Sequence, residues 1–411
     1  MTNLVEEALS DAPRVREVVH GAVVAARARA ASGFSEEAVG AGERSAMTHS
    51  WVITGGPGSG RLQVARAFAA GLECTDPETP GCGRCEACRA VMNGSHTDVQ
   101  EFRTRKYSIA VSVAREDIVP AVSQLPTVGR WRVVIIDNAD RLTGQAADAL
   151  LKTVEEPSKQ SVVLFCAPSV DPEDFSVTLR SRCRHIYVPP PSVERIVRLL
   201  VREEGATEHD AALAAQASLR HIGRARLLVT DEGMQRRRAR VLRLAELVNH
   251  GDVAFREISV LVKATKKESE ELHAEEEAEE AETLRRSFGA GGRGKGVAKL
   301  AREAERAVKS LEEEQKRRHK RIHRDLIDLC LVDLSGLYRD AFLRAVDAPG
   351  DPVHPDFAEL AGEIAGQVGA ADLADCLEAI GQCREHLKQN VWPQIALDGL
   401  MGKLRMAHGV R

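Results

Sequence analysis

The composition of this chain is typical of a globular protein with about two or three domains. It has 411 residues, of which 43% are hydrophobic and 29% are charged. The net charge of −4 gives no global signature of nucleic-acid binding, and an aromatic content of 4% argues against base stacking on aromatic platforms. The nine cysteines fit a reducing cytosol better than a disulfide scaffold. We expect a cytoplasmic protein without a secretory signal or a membrane span.

An α/β pattern is predicted for residues 1–189. Continuous apolar runs rich in β-branched residues predict buried parallel strands, because both faces of such a sheet are covered. The predicted strands are 51–54, 132–137, 161–166 and 185–188, and the clearest predicted helices are 63–71 and 146–156. Prolines at 189–191 then mark a domain boundary.

Helical periodicity dominates the rest of the chain. We predict a small helical domain over residues 190–251 and a second helical domain over 252–411. The second domain contains a strongly charged stretch at about 263–324. Charge runs of this kind form solvated helices or disordered linkers, and both alternatives stay open.

The segment 55–62 has the glycine pattern of a phosphate-binding loop without its two reactive side chains. In G-x-x-x-x-G-K-[ST], backbone N–H groups cradle phosphates, the lysine reaches the β- and γ-phosphates, and the hydroxyl holds Mg²⁺. Gly55, Gly58 and Gly60 are present, but Arg61 replaces the lysine and Leu62 replaces the hydroxyl. An apolar side chain cannot coordinate a cation, and a guanidinium is a broad planar fork. The segment is either a degenerate nucleotide site or a plain strand-to-helix turn.

The end of the strand at 132–137 also lacks a residue that hydrolysis requires. An ATPase of this architecture needs an Asp that positions Mg²⁺ and a following Glu that activates water. Asp137 is present, but Asn138 stands where the base belongs and cannot accept a proton. Because Arg61, Leu62 and Asn138 depart together, we expect no hydrolysis and a pocket that is empty or weakly occupied by ATP or ADP through the loop amides.

A cluster of cysteines predicts a structural zinc site. The spacing C-x7-C-x2-C-x2-C brings four thiolates together, which satisfies tetrahedral Zn²⁺ and leaves no open coordination position. Glycines at 81 and 83 permit the tight turns that this requires. An iron–sulfur cluster, a redox pair or unrelated buried thiols are the alternatives. The predicted ligands are Cys74, Cys82, Cys85 and Cys88.

Three arginines lie within five residues at the end of the α/β region: Arg180, Arg182 and Arg184. From composition alone, a solvated basic turn is the simplest interpretation. Such a cluster also suits phosphate binding, or projection into a neighbour's active site, where an arginine supplied in trans stabilises charge on a transferring phosphoryl group.

Together these features resemble the clamp-loader subunits of bacterial DNA polymerase III, within the AAA+ superfamily. The resemblance covers most of residues 20–260, with a weaker similarity at 387–397. Besides the loop and the cysteines, the motifs that carry it are 134–143 (VIIDNADRLT), 149–157 (ALLKTVEEP) and 179–183 (LRSRC). The second and third motifs are highly specific to this family.

The resemblance implies an AAA+ domain with an inserted zinc module at 74–88, followed by a helical lid domain and an all-α collar domain. These correspond to residues 1–189, 190–251 and 252–411. The charged stretch at 263–324 is an insertion outside the common family core. Segment 3–9 also lacks the signature that usually precedes the first helix, which weakens an adenine-contacting role there.

The resemblance further implies a non-hydrolysing subunit of the delta-prime type. Hydrolysing members keep Lys-Thr in the loop and Asp-Glu on the strand, and this chain keeps neither pair. Arg182, in the Ser-Arg-Cys motif, then corresponds to a trans arginine finger aimed at the adjacent ATPase subunit, while Arg224 lies roughly where active relatives carry a sensor arginine.

The implied partners are the gamma/tau and delta subunits of a hetero-pentamer, the sliding clamp, and primer–template DNA contacted through the assembled complex. The chain would be a component of the DNA polymerase III holoenzyme without ATPase activity of its own. An ATP-hydrolysing gamma/tau-type subunit with an atypical loop is the alternative. A zinc-dependent DNA-binding module fits less well, because the net charge is acidic and the metal site is closed.

Overall fold

The computed structural model describes residues 3–34, 46–104, 108–287 and 297–410. The chain divides into two compact units, Met1–Glu208 with Arg220–Arg226, and His209–Leu219 with Leu227–Arg411. Within the described ranges, no helix is long and apolar enough to cross a membrane.

A parallel five-stranded sheet forms the centre of the first unit, within the described residues. Its strand order is β2-β3-β4-β1-β5, so β1 lies between β4 and β5. Residues of β1, β3 and β4 are buried throughout, which explains their continuous apolar sequences. The strands are β1 Ser50–Thr54, β2 Val99–Arg103, β3 Arg132–Asp137, β4 Ser161–Ala167 and β5 Arg184–Tyr187.

Sequence analysis identified four of these strands within one or two residues and missed β2. The sequence of β2, VQEFR, is polar, because β2 lies at the sheet edge and is only partly buried. It pairs with β3 in a register that places Arg103 beside Asp137. The predicted α/β fold, with its helical C-terminal part, is confirmed.

Helices cover both faces of the sheet in two apolar clusters. One cluster joins β1 and the helix after the loop to the N-terminal helices, and the other contains Phe165 and Leu179. The helices of this unit are α1 Leu4–Ala8, α2 Pro13–Ala31, α3 Arg61–Glu73, α4 Glu86–Met92, α5 Val111–Val113, α6 Val119–Ser123, α7 Gly144–Glu155, α8 Val177–Arg180 and α9 Val193–Glu204. A π-helical turn at Ala114–Ile118 links α5 to α6.

All regular secondary structure in the described residues of the second unit is helical. Its buried side chains form one apolar cluster that includes Leu337, Tyr338 and Leu373. The remaining helices of the chain are α10 Glu208–Ala217, α11 Ile222–Thr230, α12 Glu232–Arg243, α13 Asp252–Glu271, α14 Ala274–Ser287, α15 Val297–Ala345, α16 Ala358–Gln367, α17 Ala370–Lys388 and α18 Pro393–Ala407. The three-domain boundaries proposed from the sequence stay a prediction.

The charged stretch at 263–324 is helical where it is described. It comprises the end of α13, α14 and the first half of α15. Glu277 on α14 is only 7% exposed and faces a histidine and an arginine on α15, with its carboxylate 2.7 Å from Nε2 of His319 and 3.3 Å from Nη1 of Arg318. The solvated-helix alternative therefore describes most of this stretch, but a buried polar contact joins its helices.

Candidate functional site

The glycine loop lies at the carboxyl end of β1 and leads directly into α3. Gly60 has φ +86° and Gly58 has φ +79°, a left-handed backbone that favours glycine. A Cβ on Gly55 would lie 2.5 Å from the carbonyl oxygen of Val188, so this position has no room for a side chain. The strand–turn–helix geometry of a phosphate-binding loop is therefore retained.

The side chains at the two substituted positions, Arg61 and Leu62, both contact the protein itself. Arg61 turns back onto the loop, where Nη1 donates a hydrogen bond of 2.7 Å to the carbonyl oxygen of Gly55. Leu62 packs against the apolar cluster beneath the loop and is half-buried. An aliphatic side chain packed in this way offers no oxygen to a metal.

Asp137 forms an ion pair with an arginine of the same chain. Its carboxylate is buried and lies 3.4 Å from Nε of Arg103, whose side chain is 67% exposed. Asn138 adopts a left-handed backbone with φ 55° and donates its own N–H to Asp137 at 3.0 Å. Sequence reasoning missed Arg103, because the contact depends on the pairing of β2 with β3.

His221 closes the outer side of the loop. A Cβ on Gly58 would lie 2.3 Å from the imidazole of His221, so ring and glycine are in direct contact. Burial lowers the pKa of His221, and the positive charges of Arg224 and Arg61 lower it further. Its Nδ1 accepts a hydrogen bond of 3.1 Å from the N–H of Arg224, which is buried. Nothing in the sequence marked this histidine.

The structure brings the four predicted zinc ligands together. The sulfur atoms of Cys74, Cys82, Cys85 and Cys88 lie within 4.8 Å of one another, and no disulfide joins them. Cys85 is the N-cap of α4, and its sulfur accepts the N–H of Cys88, while the sulfur of Cys82 accepts the N–H of Cys85, each at 3.4 Å. Such donors stabilise thiolates, so the donor set fits a tetrahedral thiophilic metal.

The environment of the cluster favours a closed, structural site. Cys74 and Cys88 are completely buried. Although burial opposes ionisation, N–H groups of Cys88 and Thr75 lower the pKa of Cys85 to about 6. The neighbouring loop is tied by an ion pair of 2.8 Å between Arg84 and Asp76.

The three arginines at the end of α8 and just beyond it lie in different environments. Arg184 donates to the carbonyl of Ala46 at 2.7 Å and stacks over Trp51, with 5.0 Å between its guanidinium carbon and the ring centroid. Arg180 and Arg182 are exposed. Of these two, Arg182 is held by an acid, because its Nε lies 2.5 Å from Oε1 of Glu155. The solvated basic turn is therefore an incomplete description.

Sequence comparisons find known relatives of the α/β part. Residues 34–192 match the family described as DNA polymerase III, delta subunit. The similarity to that family is confined to this segment, which covers less than half of the chain. The resemblance found in the sequence is confirmed, because this part of the chain is similar to DNA polymerase III clamp-loader subunits of both the delta-prime and the gamma/tau type.

Individual relatives of both types match the chain. The delta-prime subunit of Escherichia coli is 33% identical over 50% of this chain and 61% of its own length. The tau/gamma subunit of Haemophilus influenzae is 34% identical over 46% of this chain and 28% of its own length. A solved structure of a gamma subunit-related protein from Thermotoga maritima aligns with 87% of this chain and 94% of its own, at 16% identity and a TM-score of 0.35. The chain thus spans less than two thirds of the curated relatives just named.

Proposed function

We propose that this chain is a non-hydrolysing, delta-prime-type subunit of a bacterial DNA polymerase III clamp loader, acting in the cytoplasm. The observation that carries the proposal is the state of the nucleotide loop. Leu62 packs against the apolar core, Arg61 bonds to the loop's own backbone and Asp137 pairs with Arg103. The loop therefore offers neither the lysine nor the hydroxyl that Mg·ATP hydrolysis requires, and Arg103 competes with Mg²⁺ for Asp137.

In this proposal the chain completes a neighbour's active site. Arg182 lies on an exposed turn of the α/β unit, so its guanidinium is accessible to another subunit. An arginine supplied in trans stabilises the charge that develops on the γ-phosphate. The partners would be gamma/tau and delta subunits in a hetero-pentamer, together with the sliding clamp and primer–template DNA. Contact with DNA would involve phosphates, since clamp loading does not depend on sequence.

Replacement of Arg182 tests the trans role. In a complex reconstituted with the clamp and the other subunits of the same organism, Arg182→Ala should leave assembly intact and reduce DNA-stimulated ATPase by about 10³-fold or more at the site that it completes. Arg180→Ala is the matched control, because Arg180 is an exposed arginine two residues away. An unchanged rate for Arg182→Ala in an assembled complex would refute the assignment.

The alternative, an ATP-hydrolysing gamma/tau-type subunit, has a separate test. The purified chain would then hydrolyse ATP, and Asp137→Ala would abolish that turnover. Absence of turnover across a range of Mg·ATP concentrations is the result that our proposal requires.

We also propose that the cysteine cluster holds one structural zinc ion. The cluster links the end of α3 to α4, so the metal would fix this segment against the sheet domain. Elemental analysis should find one zinc per chain, and Cys88→Ser should lose it. Cys383→Ser, which removes a buried thiol far along the chain, should retain it. Iron in place of zinc, or no metal, would contradict the proposal.

A further inference from the structure

The turn that carries Arg182 is anchored from both sides. Leu179 is fully buried and Cys183 packs against the same apolar cluster. Between them, the N–H of Arg182 donates to the carbonyl of Leu179 at 3.0 Å, and the N–H of Cys183 donates to that of Arg180 at 3.2 Å. The backbone under Arg182 is therefore fixed, and the position of its guanidinium depends on the side chain alone.

Two of the three nitrogen atoms of the Arg182 guanidinium are hydrogen-bonded within the chain. Nε donates to Oε1 of Glu155 at 2.5 Å, and Nη1 donates to the carbonyl of Thr178 at 2.8 Å and to Oγ of Ser181 at 3.0 Å. Among the described residues, Nη2 has no hydrogen-bond partner. A guanidinium has five N–H donors in a rigid plane, so anchoring Nε and Nη1 fixes the direction in which Nη2 points.

We infer that Glu155 is a positioning residue that holds Arg182 in the orientation needed to reach a neighbour's phosphate. The inference rests on the proposed function, since it assigns Glu155 a task only if Arg182 acts in trans. Glu155 is the last residue of α7, which places its carboxylate on a rigid element beside the turn. The acid leaves Nη2 free, so the pair orients the arginine without consuming all of its donors.

The exposure of the pair favours orientation over stability. The side chain of Arg182 is 37% exposed and that of Glu155 is 44% exposed. Ion pairs at such sites contribute little to folding. A free arginine, however, must give up its rotamer freedom when it meets the phosphate, and prior anchoring avoids that loss. Removal of Glu155 should therefore slow the reaction by about 2- to 13-fold, which corresponds to about 0.5–1.5 kcal/mol of side-chain ordering.

The test uses the DNA-stimulated ATPase of the reconstituted complex. Glu155→Ala should lower kcat by about 2- to 13-fold with little change in KM for ATP, because the arginine acts on the transition state. Glu155→Gln should recover most of the rate, since its amide oxygen can still accept from Nε. Glu156→Ala is the matched control, as Glu156 is the next residue and is also exposed.

A double variant shows whether the two residues act through each other. Once Arg182 is alanine, adding Glu155→Ala should cause no further loss, because there is no guanidinium left to position. Additive losses would overturn the inference, as would a Glu155→Gln rate as low as that of Glu155→Ala. A faster Glu155→Ala complex would show that the acid restrains the arginine, which also overturns it.

The outcomes separate this inference from the proposed function. If Arg182→Ala retains the full rate, the trans role itself fails. If Arg182→Ala is slow and Glu155→Ala matches the parent, the trans role stands and the positioning role of Glu155 is wrong. Thermal melting of each variant shows that its fold is intact.

Discussion

Restoring the two lost side chains of the loop should restore nucleotide binding but not hydrolysis. The double substitution Arg61→Lys, Leu62→Thr re-creates the phosphate-binding pattern on a backbone that already has its geometry. Lysine would replace a guanidinium that is bonded to Gly55, and threonine would supply the missing metal ligand. Hydrolysis should stay absent, because Asn138 still offers no carboxylate to activate water.

The size of the effect follows from the two polar interactions that the substitutions add. Each is made to a charged group and should contribute about 1.5–3 kcal/mol, which together strengthens Mg·ATP binding by about 10²- to 10⁴-fold. Adding Arg103→Ala should give at most about another fivefold, since the ion pair of Asp137 with this exposed arginine contributes no more than about 1 kcal/mol. Loss of the half-buried Leu62 should cost about 1–2 kcal/mol and lower Tm by about 2–8 °C.

Calorimetric titration with ATP, with and without Mg²⁺, measures these changes. Leu62→Ala is the control, because it removes the same apolar packing without adding a hydroxyl. The reasoning is refuted if the parent chain binds Mg·ATP as tightly as the double variant. It is also refuted if the increase in affinity is as large without Mg²⁺ as with it, because the threonine contributes only through the metal.

Two further predictions concern buried charges in the two units. Arg238→Ala should destabilise the second unit by about 2–4 kcal/mol, because it breaks a bidentate pair with the partly exposed Asp356, at 2.6 and 2.7 Å. The control Arg236→Ala removes an exposed arginine and should change stability by less than about 0.5 kcal/mol. Denaturant titrations measure both changes. For Asp98, burial raises the pKa, but N–H donors of residues 127–129 outweigh it and lower the pKa from 3.8 to about 2. Its ionised form therefore stabilises the fold above about pH 4, and this contribution is lost toward pH 2. Asp98→Asn should lower Tm at pH 7, and the difference in Tm between the variant and the parent should shrink as the pH falls from about 4 to about 2. A difference in Tm that stays constant over this pH range would contradict this reasoning.

The sequence by itself determined the features that depend on local chemistry. Continuous apolar runs predicted β1, β3 and β4, because strands buried on both faces consist mostly of apolar residues. The cysteine spacing predicted a cluster whose sulfurs are indeed adjacent. The replacements at Arg61, Leu62 and Asn138 could be recognised from the sequence, because the lysine, the hydroxyl and the general base each require a particular residue type at one position.

Tertiary structure decided the contacts between residues that are distant along the chain. Arg103 reaches Asp137 only because a polar edge strand, which has no apolar signature, pairs with β3. His221 covers Gly58 from a segment more than 160 positions further along. Glu155 and Arg182 both lie in motifs recognised from the sequence, yet their hydrogen bond appears only where the end of α7 packs beside the turn. Local pattern thus identified the arginine, and only the folded chain showed which residue orients it.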